Sequence, residues 1–402
     1  MFSRIAIIGV GLIGGSLALA LKKAGAVKTI VGCDPVNGIR AKELGIIDEA
    51  EANAAQAVKG AEIVVLCTPL STYRALAAKI APHLAPGAIL TDVGSVKTQP
   101  SQDIWDALSP EQQRCFVPGH PIAGTEKSGP DAAFMELFGG KNVLLTEYPY
   151  THDWAHAKIE AMWKAAGARV TNIDVMEHDK IYAHVSHSIQ ALCSAYGVML
   201  SGQSEARAEK AVASPSFQSF LRLCGSDVAM WRDIFHANGP NVAAYIGDFL
   251  KRWDALAQLV MHRETQQLEA YLAAAQDQRK KARKEASEIP LEPVDPECVY
   301  TRMIPLLVAA PVMDSMTTQE YDLAIGAGFR GFTKCLLAVE PTQAADTIIA
   351  NSVKVSKAMQ HYRDTVNAIG MAIDNLRQET LESLLREGQK TYQALYRTAS
   401  AG

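Results

Sequence analysis

An apolar run, Ile5-Ala6-Ile7-Ile8, leads directly into Gly9-Val10-Gly11-Leu12-Ile13-Gly14, after which Leu17, Leu19, Ala20 and Leu21 fall at helical spacing. A second apolar run, Thr29-Ile30-Val31-Gly32-Cys33, ends on Asp34, 20 residues past Gly14. Strand, glycine turn, helix, strand and acid in this order make a dinucleotide-binding βαβ unit, which commits the chain to a parallel sheet at its start. Gly9 permits the tight turn, Gly11 lets the backbone approach a pyrophosphate, and Gly14 lets helix and strand pack closely. The unpaired N–H groups of the first helical turn, at Leu12 and Ile13, and the positive end of the helix dipole would receive that pyrophosphate. Asp34 would accept hydrogen bonds from the ribose hydroxyls and repel a 2′-phosphate, which predicts NAD over NADP.

With 402 residues the chain is long for one core, so two or three domains are expected. Its 48% hydrophobic and 20% charged residues are an ordinary globular mixture. A net charge of −4 gives no electrostatic reason for a nucleic-acid or anionic-membrane partner, and the longest apolar runs are strand-length. The first strand begins at once, leaving no room for a signal peptide. Seven scattered cysteines (33, 67, 115, 193, 224, 298 and 335) include no CxxC pair. That pattern predicts a reducing, cytoplasmic setting rather than disulfides or zinc.

Strand-like runs recur at Ile63–Cys67, Ala88–Asp92, Cys115–Pro118 and Asn142–Leu145, with helical spacers such as Thr72–Ile80. The alternation predicts a doubly wound Rossmann domain over 1–175, closed by a helix at Trp154–Ala165 and a strand at Arg169–Ile173. Thr68-Pro69-Leu70 and Asp92-Val93-Gly94-Ser95 follow strands at their carboxyl ends, where open α/β sheets bind ligands. From Met176 onward only helical periodicity is found, in segments 177–201, 205–223, 228–236 and 240–275. Basic residues from Arg279 to Lys284 read as the solvated end of a long helix. Pro290, Pro293 and Pro296 then mark a linker. Two further domains are expected, an all-α domain over 176–288 and an additional helical one over 289–402.

The last region reads as a degenerate copy of residues 180–280. Phe217-Gln218-Ser219-Phe220 matches Phe329-Arg330-Gly331-Phe332, and Asp233-Ile234-Phe235-His236-Ala237-Asn238 matches Asp346-Thr347-Ile348-Ile349-Ala350-Asn351. Upstream, Ser188-Ile189-Gln190-Ala191-Leu192 fits Met303-Ile304-Pro305-Leu306-Leu307. On this register Arg302 falls where His187 would be, and Ala344 near Trp231.

Gly119-His120-Pro121-Ile122-Ala123-Gly124-Thr125-Glu126 lies in a glycine- and proline-bounded stretch expected to be a loop. It resembles the GHPIAGTE hallmark of the prephenate/arogenate (cyclohexadienyl) dehydrogenase family of tyrosine biosynthesis. The resemblance spans residues 3–275 and includes Thr91-Asp92-Val93-Gly94-Ser95-Val96-Lys97, the helix beginning Glu177-His178-Asp179, and Trp231-Arg232-Asp233-Ile234. It implies an NAD-dependent oxidation of a cyclohexadienol in which carbon dioxide leaves as the ring aromatises. Such chemistry needs a group that polarises the hydroxyl and takes its proton, and histidine suits neutral pH. By resemblance His120 does this, while Ser95 orients it and contacts the nicotinamide region. Thr68 and Pro69, at the carboxyl end of their strand, are expected in the cofactor site, and Thr125 and Glu126, polar groups of the same stretch as His120, in the substrate site.

A dianionic substrate also needs donors. Arg222 occupies the second basic position of a family motif, where a guanidinium clamps a carboxylate through two parallel hydrogen bonds. The first basic position is Gln218, and the usual glycine pair is Pro215-Ser216. Ser186 and His187 match a family SHLPH element and would line the substrate site, with Gln190 replacing its second histidine. Trp231 is either a pocket wall or plain core. His178, His184 and His187 suggest a metal, but no cysteine or carboxylate completes a set and the resemblance implies none. Two rival readings remain, another β-hydroxyacid-type dehydrogenase and a non-catalytic NAD-binding regulator. Prephenate against arogenate, and feedback by tyrosine, stay open. Assembly is expected as a monomeric pseudo-dimer or a homodimer.

Overall fold

A computed structural model describes residues 1–125, 127–148, 150–201, 215–281, 298–316 and 327–397. Two compact units make up the chain, Met1–Tyr182 and Ala183–Gly402.

In the first unit, β1 (Phe2–Ile8), β2 (Val27–Cys33), β3 (Glu49–Ala50), β4 (Ile63–Leu66), β5 (Ile89–Asp92) and β6 (Phe116–Val117) form one sheet in the order β3-β2-β1-β4-β5-β6. Every neighbouring pair is parallel. The doubly wound Rossmann architecture expected from the alternation is therefore present. Its central strands lose both faces to core, which is why they read as unbroken apolar runs. Ile5 and Ile7 pack with Leu17, Leu21 and Trp163 on one side, and Ala6 and Ile8 with Tyr73 and Ile80 on the other. Each such aliphatic side chain contributes about 1.5–3 kcal/mol on burial. The strand order reverses between β1 and β4, which opens the ligand crevice at their carboxyl ends.

A smaller sheet joins β7 (Gly119–Pro121), β8 (Asn142–Glu147) and β9 (Arg169–Asp174). The GHP segment expected as a loop is thus a strand, paired antiparallel with β8 through His120 opposite Leu144. Its pairing partner lies more than twenty residues downstream, so local turn chemistry gave no sign of it. The helix Val175–Tyr182 also belongs to this unit, seven residues beyond the expected boundary. Asp179 holds it there by accepting the backbone N–H groups of Lys97 (2.8 Å) and Thr98 (2.7 Å).

The second unit is helical. The regions expected as separate domains, 176–288 and 289–402, share one core from Ala183 onward, because their long helices cross. Trp253 and Tyr362 rings meet at 5.0 Å, and the Trp253 indole N–H donates to the Met359 carbonyl. The span 240–275 is two helices, Gly239–Met261 and Thr265–Lys281, broken where Arg263 turns to φ +59°.

Helix order repeats across this unit. The five-residue π-helices Ala183–His187 and Val299–Met303 each open a set. Ten-residue helices Val228–Ala237 and Pro341–Ala350 follow, then 23-residue helices Gly239–Met261 and Ser352–Asp374. Leu376, the counterpart of Arg263, also lies at positive φ, +51°. Gln276 donates to the Val339 carbonyl, and Gln389 to that of Ser226, so each half reaches the matching position of the other. One register changes: the π-helices align His187 with Met303 and Ser186 with Arg302, one residue from the expected pairing.

Candidate active site

The dinucleotide cradle sits at the switch point. Gly9 adopts φ +96°, and a Cβ there would lie 2.6 Å from the Cys67 carbonyl oxygen, so the turn admits only glycine. A Cβ on Gly14 would stand 2.2 Å from the Gly9 oxygen, whereas one on Gly11 would meet open space. The backbone is therefore closed at Gly9 and Gly14 and open at Gly11, where a pyrophosphate has to approach. The helix Leu12–Lys23 begins with no side-chain cap and no acidic residue in its first turn, leaving its positive end for an anion. Asp34 is half-buried at the end of β2. It accepts N–H bonds from Val10 (3.0 Å), Val36 (3.0 Å) and Asn37 (2.8 Å), which tie it to the glycine turn. Thr68 is half-buried at the end of β4 and Pro69 is exposed beside it. These residues fit NAD.

His120 is 7% exposed, on β7. The residue before it is pinned through both backbone groups: the Gly119 N–H donates to Asp92 Oδ1 (3.2 Å), and its carbonyl accepts from Lys97 Nζ (2.6 Å). Lys97 also pairs with Asp92, and both are buried. Burial pulls the Lys97 ammonium below its ordinary range, with Asp92 opposing. His120 Nδ1 lies 2.9 Å from His178 Nε2, and His178 Nδ1 lies 2.8 Å from Asp179 Oδ1. Tyr182 packs against both rings, at 4.7 Å from His120 and stacked at 4.6 Å on His178. Burial pushes the His178 imidazole below its ordinary value, Asp179 only partly opposing. Burial would raise the Asp179 carboxyl, but hydrogen bonds from His178, Thr98 and Lys97 outweigh it and hold the group below its usual range. Ser95 is half-buried in the turn between Asp92 and Lys97. Thr125 is exposed, its hydroxyl accepting the Lys127 N–H, and Glu126 lies outside the described residues.

In the second unit His187 is buried, with Nδ1 3.0 Å from Asn238 Nδ2 and its ring 6.1 Å from Trp231. The Trp231 indole nitrogen is buried and meets no acceptor among the described residues. Ser186 is half-buried on the same π-turn as His187. Arg222 is half-buried on the helix Pro215–Cys224, and Gln218 on that helix is exposed. Gln190 donates to the Leu223 carbonyl at 2.9 Å, tying its helix to the backbone beside Arg222.

The roles of His178, Asp179, Lys97 and Asp92 were not assigned from sequence. Asp92 and Lys97 stand beside the apolar Val93 and Val96, where an unpaired charge would be costly, whereas His178 and Asp179 lie between polar neighbours and carry no such local signal. Among the described residues no group of three or more His, Cys, Asp or Glu side chains is placed to hold a metal ion, and no helix is long and apolar enough to cross a membrane.

Comparison with known proteins agrees with this geometry. The chain matches the family model for the nucleotide-binding domain of prephenate dehydrogenase over residues 17–172, and that for its dimerization domain over 174–274. It is 34% identical over 259 residues to a cyclohexadienyl dehydrogenase of Zymomonas mobilis, covering 62% of this chain and 86% of the relative. It is 31% identical over 284 residues to the prephenate dehydrogenase of Bacillus subtilis, covering 69% and 76%. The crystal structure of prephenate dehydrogenase from Aquifex aeolicus, in complex with hydroxyphenyl propionate and NAD+, superposes with a TM-score of 0.62 at 31% identity, over 70% of this chain and 99% of that one. The chain belongs to the prephenate dehydrogenase family and is an NAD-dependent oxidoreductase.

Proposed function

We propose that the enzyme oxidises prephenate to 4-hydroxyphenylpyruvate and carbon dioxide in tyrosine biosynthesis, in the cytoplasm and without a nucleic-acid partner. The observation that carries this reading is His120, almost buried on a strand whose preceding residue is fixed through both its N–H and its carbonyl. A histidine so fixed is suited to take the proton of the substrate's ring hydroxyl. NAD, when bound, would supply the acceptor for the hydride of the carbinol carbon. As the ring carboxylate leaves as carbon dioxide, the electron pair of its bond completes the aromatic ring. Gly9, Gly11, Leu12, Ile13 and Gly14 hold the pyrophosphate, Asp34 the ribose, and Thr68, Pro69 and Ser95 border the nicotinamide side. Arg222 clamps a substrate carboxylate, while Thr125, Glu126, Ser186, His187 and Trp231 bind the remainder. NADH formation with prephenate and with arogenate tests the reading. Turnover of neither substrate would reject it, and their ratio of kcat/KM fixes the preferred side chain.

The same reading extends to assembly. The matched dimerization domain ends at residue 274, and the later helices repeat its order, with equal lengths for the π-helices, the ten-residue helices and the 23-residue helices. We infer a degenerate internal copy that occupies the place of a partner's helical domain, giving a monomeric pseudo-dimer with one active site. Met303 and the buried Ala344 stand where His187 and Trp231 stand, so the copy lacks these site residues. Light scattering should give a mass near 43.4 kDa. A value near twice that would reject the monomer in favour of a homodimer.

A further inference from the structure

The buried chain His120–His178–Asp179 carries an inference that rests on the reading of His120 as the base. His178 is 0% exposed and Asp179 1%. Both Asp179 oxygens are engaged by backbone donors, Oδ1 by the Lys97 N–H (2.8 Å) and Oδ2 by the Thr98 N–H (2.7 Å). A carboxylate so placed is ionised and only accepts. The proton between Asp179 and His178 therefore sits on His178 Nδ1. A buried neutral imidazole protonated at Nδ1 has only a lone pair at Nε2. The contact at 2.9 Å then requires His120 to donate from its own Nδ1. His120 Nε2 is left as the basic nitrogen, the tautomer that a proton acceptor needs.

We propose that His178 and Asp179 are positioning residues that fix His120 as its Nδ1–H tautomer and share the positive charge it gains when Nε2 takes a proton. The proton balance is simple. Nε2 of His120 binds the substrate proton, its Nδ1–H bond to His178 strengthens, and no other group changes its proton count. The other groups facing His178 fit this role. Tyr182 stacks on it with a phenol that burial keeps protonated, and the buried Lys97–Asp92 pair is internally compensated. A purely structural histidine would need a satisfied ring, but it would not need this order of donors.

The test uses the full-length enzyme. In His178→Leu, His120 loses its acceptor, and kcat should fall about 10²-fold, within the range of general-base contributions, while the Kd for NAD stays within about threefold. The acid limb of the kcat/KM pH profile should move to lower pH, because protonated His120 loses the acceptor that shared its charge and forms less readily. In His178→Gln the side-chain oxygen can accept from His120 Nδ1, and at least about a tenfold part of the loss should return. Nitrogen-15 NMR of histidine-labelled wild-type protein gives a readout independent of turnover: His120 should show a protonated Nδ1 and a bare Nε2. A His120 found protonated on Nε2 would overturn the proposal. So would a folded His178→Leu protein with wild-type kcat, an unmoved acid limb, or a Gln variant no better than Leu. Wild-type enzyme inactive on prephenate and arogenate would instead reject the substrate reading, leaving the NMR result to judge the relay.

Discussion

Lys97 Nζ donates to the carbonyl oxygen of Gly119 at 2.6 Å while pairing with Asp92, which in turn accepts the Gly119 N–H. One buried ion pair thus grips both backbone groups of the residue preceding His120. Lys97→Met removes the cation and leaves Asp92 buried and unpaired, which should cost about 3–5 kcal/mol. Urea denaturation should show that loss, with kcat falling as β7 loses its anchor. An unchanged midpoint would mean the pair contributes nothing to holding the site.

His120→Asn should lower kcat by about 10²–10⁴ while NAD affinity is nearly unchanged, because the general base acts on the substrate proton alone. Stopped-flow NADH formation and fluorescence titration separate the two quantities. Retention of full turnover would remove His120 from the base role.

Asp34 holds the glycine turn through Val10 and its own loop through Val36 and Asn37. A 2′-phosphate would meet this carboxylate as a like charge. Wild-type enzyme should prefer NAD strongly, and Asp34→Ser should lose most of that preference as NAD use weakens. Equal kcat/KM for NAD and NADP in the wild type would contradict the assignment.

The pH dependence of stability follows from His178. Burial sets its folded-state pKa below the ordinary 6.5, so the unfolded chain binds more protons across the interval beneath that value. Stability should be fully present above about pH 6.5 and fall as pH drops through the folded value. Asp179, also depressed, adds a second loss below its ordinary 3.8. Subtracting the Tm of His178→Gln from that of the wild type between pH 7.5 and pH 5 isolates the first effect. A difference that grows on acidification would reverse the sign.

Gly197 on the helix Ser188–Leu200 faces Gly388 on Gln378–Arg397, and a Cβ on it would lie 2.9 Å from the Gly388 Cα. The obstacle is backbone, so neither helix can yield by a rotamer change. Gly197→Val should destabilise the second unit by about 1–3 kcal/mol, read as a lower urea midpoint. A neutral result would mean that the two helices are not held in close contact.

The sequence alone determined the dinucleotide half of this protein. Gly9, Gly11, Gly14 and Asp34 act through sterics and charge within one βαβ unit, and buried parallel strands declare themselves as apolar runs. It also carried the GHPIAGTE segment, and with it the candidate base. Tertiary structure decided what surrounds that base. Gly119–Pro121 is a strand only because β8 offers a partner, and a period-2 pattern over three residues cannot announce one. His178 reaches His120 across 58 positions, and Lys97 reaches Gly119 across 22, by routes through separate strands and a helix. The helical half divided in the same way. Periodicity located its helices, but only their crossing joined both regions into one core, and only the paired π-helices set Met303 against His187. Local spacing records which face of a segment is apolar. Which distant polar group satisfies a buried one is settled when the chain closes.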